Sequence, residues 1–223
     1  MSDELLLARG EYLYFRNGER VDVTERWTRH KRGDEIITRC ERDATAFRSR
    51  IVVESRERDG RIAQVEVIWS NDNPNAVSNA QARYRFFELF VEQTRQIESL
   101  STETKRIETN FRFVIAPLMR VYLGDTLREL AAQRQTMVFV PWIIDPTDSD
   151  KLLEAHFEKR FARVIGDQEI EVDSNQIQAR RYEYLGEQYD ASAAFWVDKA
   201  SGLLSRYEWK EWRVNLLLLN TDS

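Results

Sequence analysis

Apolar and polar residues alternate along most of this chain, and turn residues cut the alternation at short intervals. The clearest run lies at the C-terminal end, where residues 179–184 lead into Leu185-Gly186, residues 191–197 lead into a turn over 198–202, and residues 203–219 run on as a third segment. A period of two puts successive side chains on opposite faces of a strand, so such a meander turns one face to water and one to a core. Asn17-Gly18, between apolar-polar runs at 11–16 and 20–31, predicts a hairpin because both residues accept the positive φ of a type I′ turn. Gly33-Asp34, a turn at 42–44 and Asp59-Gly60 separate further strands at 36–41, 47–56 and 61–69. In the last of these, Ala63, Val65, Val67 and Trp69 share one face and Gln64 and Glu66 the other. Ala82, Tyr84 and Phe86 alternate with Arg83 and Arg85, and residues 105–114 alternate through Ile107, Thr109, Phe111 and Phe113. Between them, residues 87–97 fit either an edge strand or a short helix.

The period changes after Pro117. Leu118, Val121, Tyr122, Leu127, Leu130 and Ala131 recur at helical spacing, and Asp125-Thr126 can cap, which predicts a short helix over 126–134. Residues 136–144 are apolar on both sides, as in a strand covered on both faces. Beyond the acidic loop at 145–150, Leu153, Phe157, Phe161 and Val164 fit a helix over 152–164, whereas a strand there needs a bulge. Hairpins with one apolar face must curl around something to cover it. The predicted class is therefore α+β and mostly antiparallel β: a single β-rich domain over 1–223 whose strongly curved sheet, a half-barrel, encloses one or two short helices.

Composition narrows the function classes. Of 223 residues, 42% are hydrophobic and 11% aromatic, enough for a sizeable core and against disorder. The net charge is −5, and arginines are interleaved with Asp and Glu rather than gathered in a basic stripe, so no nucleic-acid partner is expected. One cysteine, Cys40, excludes an intramolecular disulfide and a cysteine metal cluster, and its place in alternation with Ile36 and Thr38 predicts a buried thiol. The acidic opening at 1–9 has too short an apolar run for a secretory signal, and no stretch reaches the length of a membrane span, so a soluble, cytoplasmic protein without an integral membrane segment is expected. Glycine-rich phosphate loops are absent, and no cofactor is expected. Asp145, Asp148 and Asp150 lack the spacing and distal Glu of a calcium loop; Asp148 or Ser149 capping the following segment is the simpler reading, with no metal expected. His30 sits near a turn and is read as surface, while His156 can face a cavity.

Large aromatics on strands remain. Core filling is their ordinary use, but a curved sheet also leaves concave space for an apolar molecule. By strand parity, Trp69, Phe86, Phe113 and Trp142 are the candidate ligand-binding wall, with Arg85 as a head-group contact. The leading expectation is non-catalytic binding of a hydrophobic small molecule or lipid, such as a chain of about a dozen methylenes at about 0.8 kcal/mol each. An enzyme using the same cavity, with Glu183, Asp190 or His156 as acid or base, is the alternative, and a structural protein with a filled interior is the third.

The residues Tyr182-Glu183-Tyr184-Leu185-Gly186, Tyr189-Asp190, Phe195-Trp196-Val197-Asp198 and Gly202-Leu203-Leu204-Ser205-Arg206-Tyr207-Glu208-Trp209 resemble the closing hairpins of the lipoprotein-carrier-like family. That family includes bacterial lipoprotein-localisation carriers and glycolipid-binding domains. The resemblance implies an incomplete antiparallel barrel wrapped around helices, with a hydrophobic ligand in its concavity and no catalytic residues. Exported carriers begin with a signal peptide, from which this chain departs.

Overall fold

Turns that demand positive φ set the registers of the sheet. The structure is a computed structural model describing residues 4–98, 100–133, 137–143, 145–186, 189–190 and 192–219. Eight strands come first: β1 (Glu4–Arg16), β2 (Glu19–Arg32), β3 (Glu35–Ala44), β4 (Ser49–Arg58), β5 (Arg61–Asn71), β6 (Asn79–Phe86), β7 (Phe90–Ile97) and β8 (Glu103–Glu108). Each pairs antiparallel with the one before it. At Asn17-Gly18 and Asp59-Gly60 both central residues have positive φ (51° and 84°, 52° and 72°), the geometry of type I′ turns.

An insert then leaves this sheet: β9 (Val114–Ile115), α1 (Arg120–Gln133), β10 (Met137–Pro141) and β11 (Ala155–Lys159). β10 is the centre of a small sheet, parallel to β9 and antiparallel to β11. The chain rejoins the large sheet just past Arg160 with β12 (Phe161–Val172), β13 (Asn175–Leu185), β14 (Ala194–Asp198), β15 (Leu204–Trp209) and β16 (Trp212–Leu218). β16 pairs antiparallel with β1, placing Tyr14 opposite Val214. The two meanders thereby fuse into one curved thirteen-stranded sheet whose edges, β12 and β8, leave it open.

The insert occupies the concavity. One face of the small sheet carries Phe139 onto the rings of Tyr84 and Phe86 from β6 (Tyr84–Phe139 5.0 Å, Phe86–Phe139 4.9 Å between centroids), with Phe157 beside Phe139 at 5.7 Å. The helix lies across the other strands: Tyr122 donates to the Thr38 carbonyl of β3 at 3.0 Å. Gly124 packs so closely on the β14–β15 turn that a Cβ there would run into the Gly202 carbonyl. On the outer face, Arg–carboxylate pairs such as Arg83–Glu66 (2.7 Å) and Arg50–Glu41 (2.8 Å) explain the polar half of the alternation. Exposed pairs of this kind contribute little stability.

Several sequence expectations need correcting. The turn read at 42–44 is the end of β3, and the chain reverses over 45–48, with Phe47 in a single 3-10 turn and Arg48 at φ 52°. Residues 152–164 form no helix: they are a turn, β11 and the start of β12, divided at Arg160. The apparent helical stripe breaks because Phe157 packs within the small sheet while Phe161 and Val164 stand on the open edge strand, 44% and 47% exposed. Among the described residues there is one α-helix, within the one or two expected, and the small sheet shares the concavity with it. That helix starts at Arg120 rather than at 126; Thr126 lies inside it and donates to the Tyr122 carbonyl one turn back instead of capping. Its predicted last residue, Arg134, lies outside the described residues, as do Thr136 and Ile144, the ends of the strand expected at 136–144. The alternation at 105–114 stops at Glu108, so Phe111 and Phe113 lie in the connection to β9. The segment at 203–219 is two strands, divided by a turn at Lys210, whose φ is 53°. Residues 87–97, left open between strand and helix, carry β7.

Candidate functional site

The expected wall residues fall in two places. Trp69 is buried on β5 and donates its indole N–H to the Val77 carbonyl at 3.3 Å. Phe86 and Phe113 belong to a ring cluster with Tyr84, Phe139 and Phe157, in which Phe113 and Phe157 meet edge to face at 5.1 Å. The polar groups around that cluster are matched: the Leu153 carbonyl accepts from Tyr84 and Gln93, and Gln93 accepts from the Ala155 N–H at 3.0 Å. Arg85 lies among the exposed residues of β6 and bonds Glu92 at 3.2 Å. Trp69 also borders an outer depression shared with Ile68, Asn79 and Gln96, while Trp142 borders open space beside the helix, with its ring edge to face against His156 at 4.8 Å.

That space is a cleft of about 150 Å³ between the start of α1 and the helix-facing side of the small sheet. Leu118, Met119 and Leu123 line it from the helix side; Val140, Trp142, Ile143, His156 and Glu158 line it from the sheet side. Its remaining wall is cationic and phenolic. Arg42 comes from β3, Arg120 from the first turn of α1, Arg160 from the crossover between the two sheets, Tyr184 from β13 and Tyr189 from the turn after it.

A fully buried carboxylate organises one side. Glu25 is 0% exposed and stands directly opposite Arg42 in the β2–β3 register. Its Oε2 accepts from Arg42 Nη2 at 2.8 Å and from the Tyr14 hydroxyl at 2.9 Å, while its Oε1 accepts from the backbone N–H of Arg120 at 2.5 Å. Arg42 also donates to the Leu118 carbonyl at 3.2 Å, so one ion pair ties β1, β2 and β3 to the entry of the helix. Burial, with Glu25 adding to it, pushes the Tyr14 hydroxyl well above the usual tyrosine range, so it stays a donor. Arg160, with only 7% of its side chain exposed, pairs with Glu158 and donates to the Tyr184 hydroxyl at 2.5 Å.

Arg120 differs from the other two. Its Nη1 donates to the Tyr189 hydroxyl at 3.1 Å and its guanidinium lies 4.8 Å from the centroid of the Tyr207 ring, but among the described residues it has no carboxylate partner, and its Nε is buried without an acceptor. Burial opposes its charge, yet the tyrosine hydroxyls and Glu25 around it outweigh that and hold it firmly protonated.

The candidate acid-base residues do not gather here. Glu183 pairs with Arg163 across β12 and β13, Asp190 is exposed and accepts from the Ser192 N–H at 2.9 Å, and only His156 borders the cleft. Asp145 accepts from the Thr147 N–H and Asp148 from the Lys151 N–H, which are local turn bonds; among the described residues no cluster of three or more metal-ligating side chains occurs. Cys40 is buried, and burial pushes its thiol well up from the ordinary value. Sequence reasoning passed over Arg42, Arg120 and Arg160, although one signal for this side was present. Glu25 falls between Val23 and Trp27, and Arg42 between Cys40 and Ala44, both on the apolar parity of their strands.

No family model matches the chain, and no curated protein is similar to it in sequence. Among solved structures it is similar to a β-barrel-like protein of a domain of unknown function, DUF1849, from Brucella abortus, at 10% identity over 97% of each chain and a TM-score of 0.53. A DUF1329 family protein from Desulfovibrio piger aligns with 99% of this chain and 85% of its own length at 10% identity and a TM-score of 0.26. The first of these likenesses is one of fold: this is a β-barrel-like, open antiparallel sheet curved around an insert.

Proposed function

We propose that the protein binds, without catalysis, a hydrophobic or lipid-like molecule in the concavity of its sheet, at the cleft between α1 and the small sheet. The observation that carries this reading is the space itself: about 150 Å³ left unfilled beside the hydrophobic core and bordered by Leu118, Leu123, Val140 and Trp142. An apolar cavity near that size takes a benzene-sized guest, and drug-sized ligands need about 300 Å³ or more. The cleft therefore takes a segment of a longer chain, with the remainder running out through its mouth. Five methylenes contribute roughly 4 kcal/mol at about 0.8 each. Association costs about that much or more, so polar contacts must supply the rest. The β-barrel-like fold supports the reading, and so does the resemblance of the closing hairpins to lipoprotein carriers. No helix among the described residues is long and apolar enough to cross a membrane, and we carry a cytoplasmic location as part of the same proposal.

Medium-chain amphiphiles titrated into purified protein, followed by native mass spectrometry and tryptophan fluorescence, test it. One-to-one adducts are expected, weakened about tenfold (1.4 kcal/mol) by Trp142→Ala. A protein whose mass and fluorescence respond to no amphiphile of any head group overturns the reading.

A further inference from the structure

We infer that Arg120 holds the head of the bound molecule and that this head is a single carboxylate; the inference rests on the cleft being the binding site. Of the three arginines bordering it, Arg42 faces Glu25 and Arg160 faces Glu158. Arg120 faces hydroxyls and a ring, and no carboxylate among the described residues. Arg120 is partly buried at the cleft wall, and a partly desolvated cation without a carboxylate partner is a ready position for a negative charge.

Glu25 does not supply it, because both its oxygens are engaged: Oε2 with Arg42 and Tyr14, Oε1 with the Arg120 backbone N–H. The guanidinium is also oriented. Nη1 is committed to the Tyr189 hydroxyl, and the plane is held against Tyr207. This leaves Nη2, which has no partner among the described residues and is not enclosed; Nε also lacks an acceptor but is walled off by the protein. The N–H groups of Nη2 can donate to a carboxylate oxygen. One guanidinium without a counter-ion balances one negative charge, so a monocarboxylate fits here better than a phosphate dianion. With the head at Arg120, the apolar lining of Leu118, Leu123, Val140 and Trp142 receives the first methylenes of the chain. The ligand class is therefore an aliphatic monocarboxylic acid.

Calorimetric titration of the full chain with octanoate, 1-octanol and octyl phosphate at one salt concentration separates the possibilities. Octanoate is expected to bind at least tenfold more tightly than 1-octanol and more tightly than octyl phosphate. Arg120→Met is expected to erase the preference for octanoate over 1-octanol while leaving the affinity for 1-octanol within threefold, and Arg120→Lys to restore part of it. A urea midpoint for Arg120→Met no lower than that of the parent shows that the fold has survived. If 1-octanol binds as well as octanoate, or if the preference persists in a folded Arg120→Met protein, the inference fails while the binding proposal stands. If octyl phosphate binds most tightly, the head-group assignment is wrong. If none of the three binds, the cleft proposal falls with it. Should Arg120→Met not fold, the head-group ranking in the parent protein decides.

Discussion

The concavity of the sheet has two aromatic regions, and they are built for different ends. Under β5–β7, the rings of Tyr84, Phe86, Phe113, Phe139 and Phe157 close on one another at centroid distances of 4.9 to 6.3 Å. Under β13–β16, Tyr184, Tyr189, Phe195, Tyr207 and Trp209 pack at similar spacing, from 5.3 to 6.1 Å. Ring density does not tell them apart. The difference is in charge: the first region packs on the small sheet with its polar groups matched, whereas the second meets Arg120 and Arg160, whose guanidinium groups lie over the Tyr207 and Tyr184 rings, and a cleft lies beside them. Buried charge is thus a better guide to the site in this fold than aromatic content.

Truncation on each side should produce the largest effects and separate the two roles. Phe139→Ala removes the ring that Tyr84, Phe86 and Phe157 all touch and is expected to cost about 3–5 kcal/mol in urea unfolding, with octanoate affinity unchanged in the folded fraction. Glu25→Ala strands Arg42 without its carboxylate and is expected to cost about 3–5 kcal/mol as well, but to disturb binding, because Glu25 also holds the start of α1. Equal binding losses from both substitutions would show that the two regions are not separate.

A smaller, graded effect is expected with alkali. Burial, the leading cause at each, raises the hydroxyls of Tyr12, Tyr84 and Tyr122 above the ordinary tyrosine value of 10.0. The native state thus favours the neutral phenol more than the unfolded chain does. The stability these residues lend is complete below pH 10 and is lost as pH rises towards their native values. Absorbance of phenolate should therefore rise in two stages, first from the exposed tyrosines and later, together with unfolding, from the buried ones. A single smooth titration near pH 10 would mean that these three tyrosines are not shielded. The smallest effect belongs to Arg85→Ala: an exposed side chain paired to Glu92 should change stability by no more than about 0.5 kcal/mol and leave ligand affinity untouched.

Much of the architecture was legible because β1–β8 and β13–β16 are sequential hairpins, whose alternation and turns act locally. The small sheet was not, since β10 pairs with β9 across the helix and with β11 across a loop, and its short strands imitate a helical stripe at Leu153, Phe157 and Phe161. The cleft was legible only through Trp142 and His156. Its arginines come from positions 42, 120 and 160, on elements that meet only after the insert folds into the sheet, and no local spacing announces such a meeting. The cross-strand pair Glu25–Arg42, two charges on apolar parity in adjacent strands, was the one readable trace.

The most direct test of this division is to locate a bound chain by NMR. With isotope-labelled octanoate in solution, magnetisation transfer is predicted from its methylenes to Trp142, Val140 and Leu123, and none to Phe86 or Phe113. Transfer to Phe86 and Phe113 without any to Trp142 would place the ligand in the ring cluster under β5–β7 instead of the cleft, and would contradict the account.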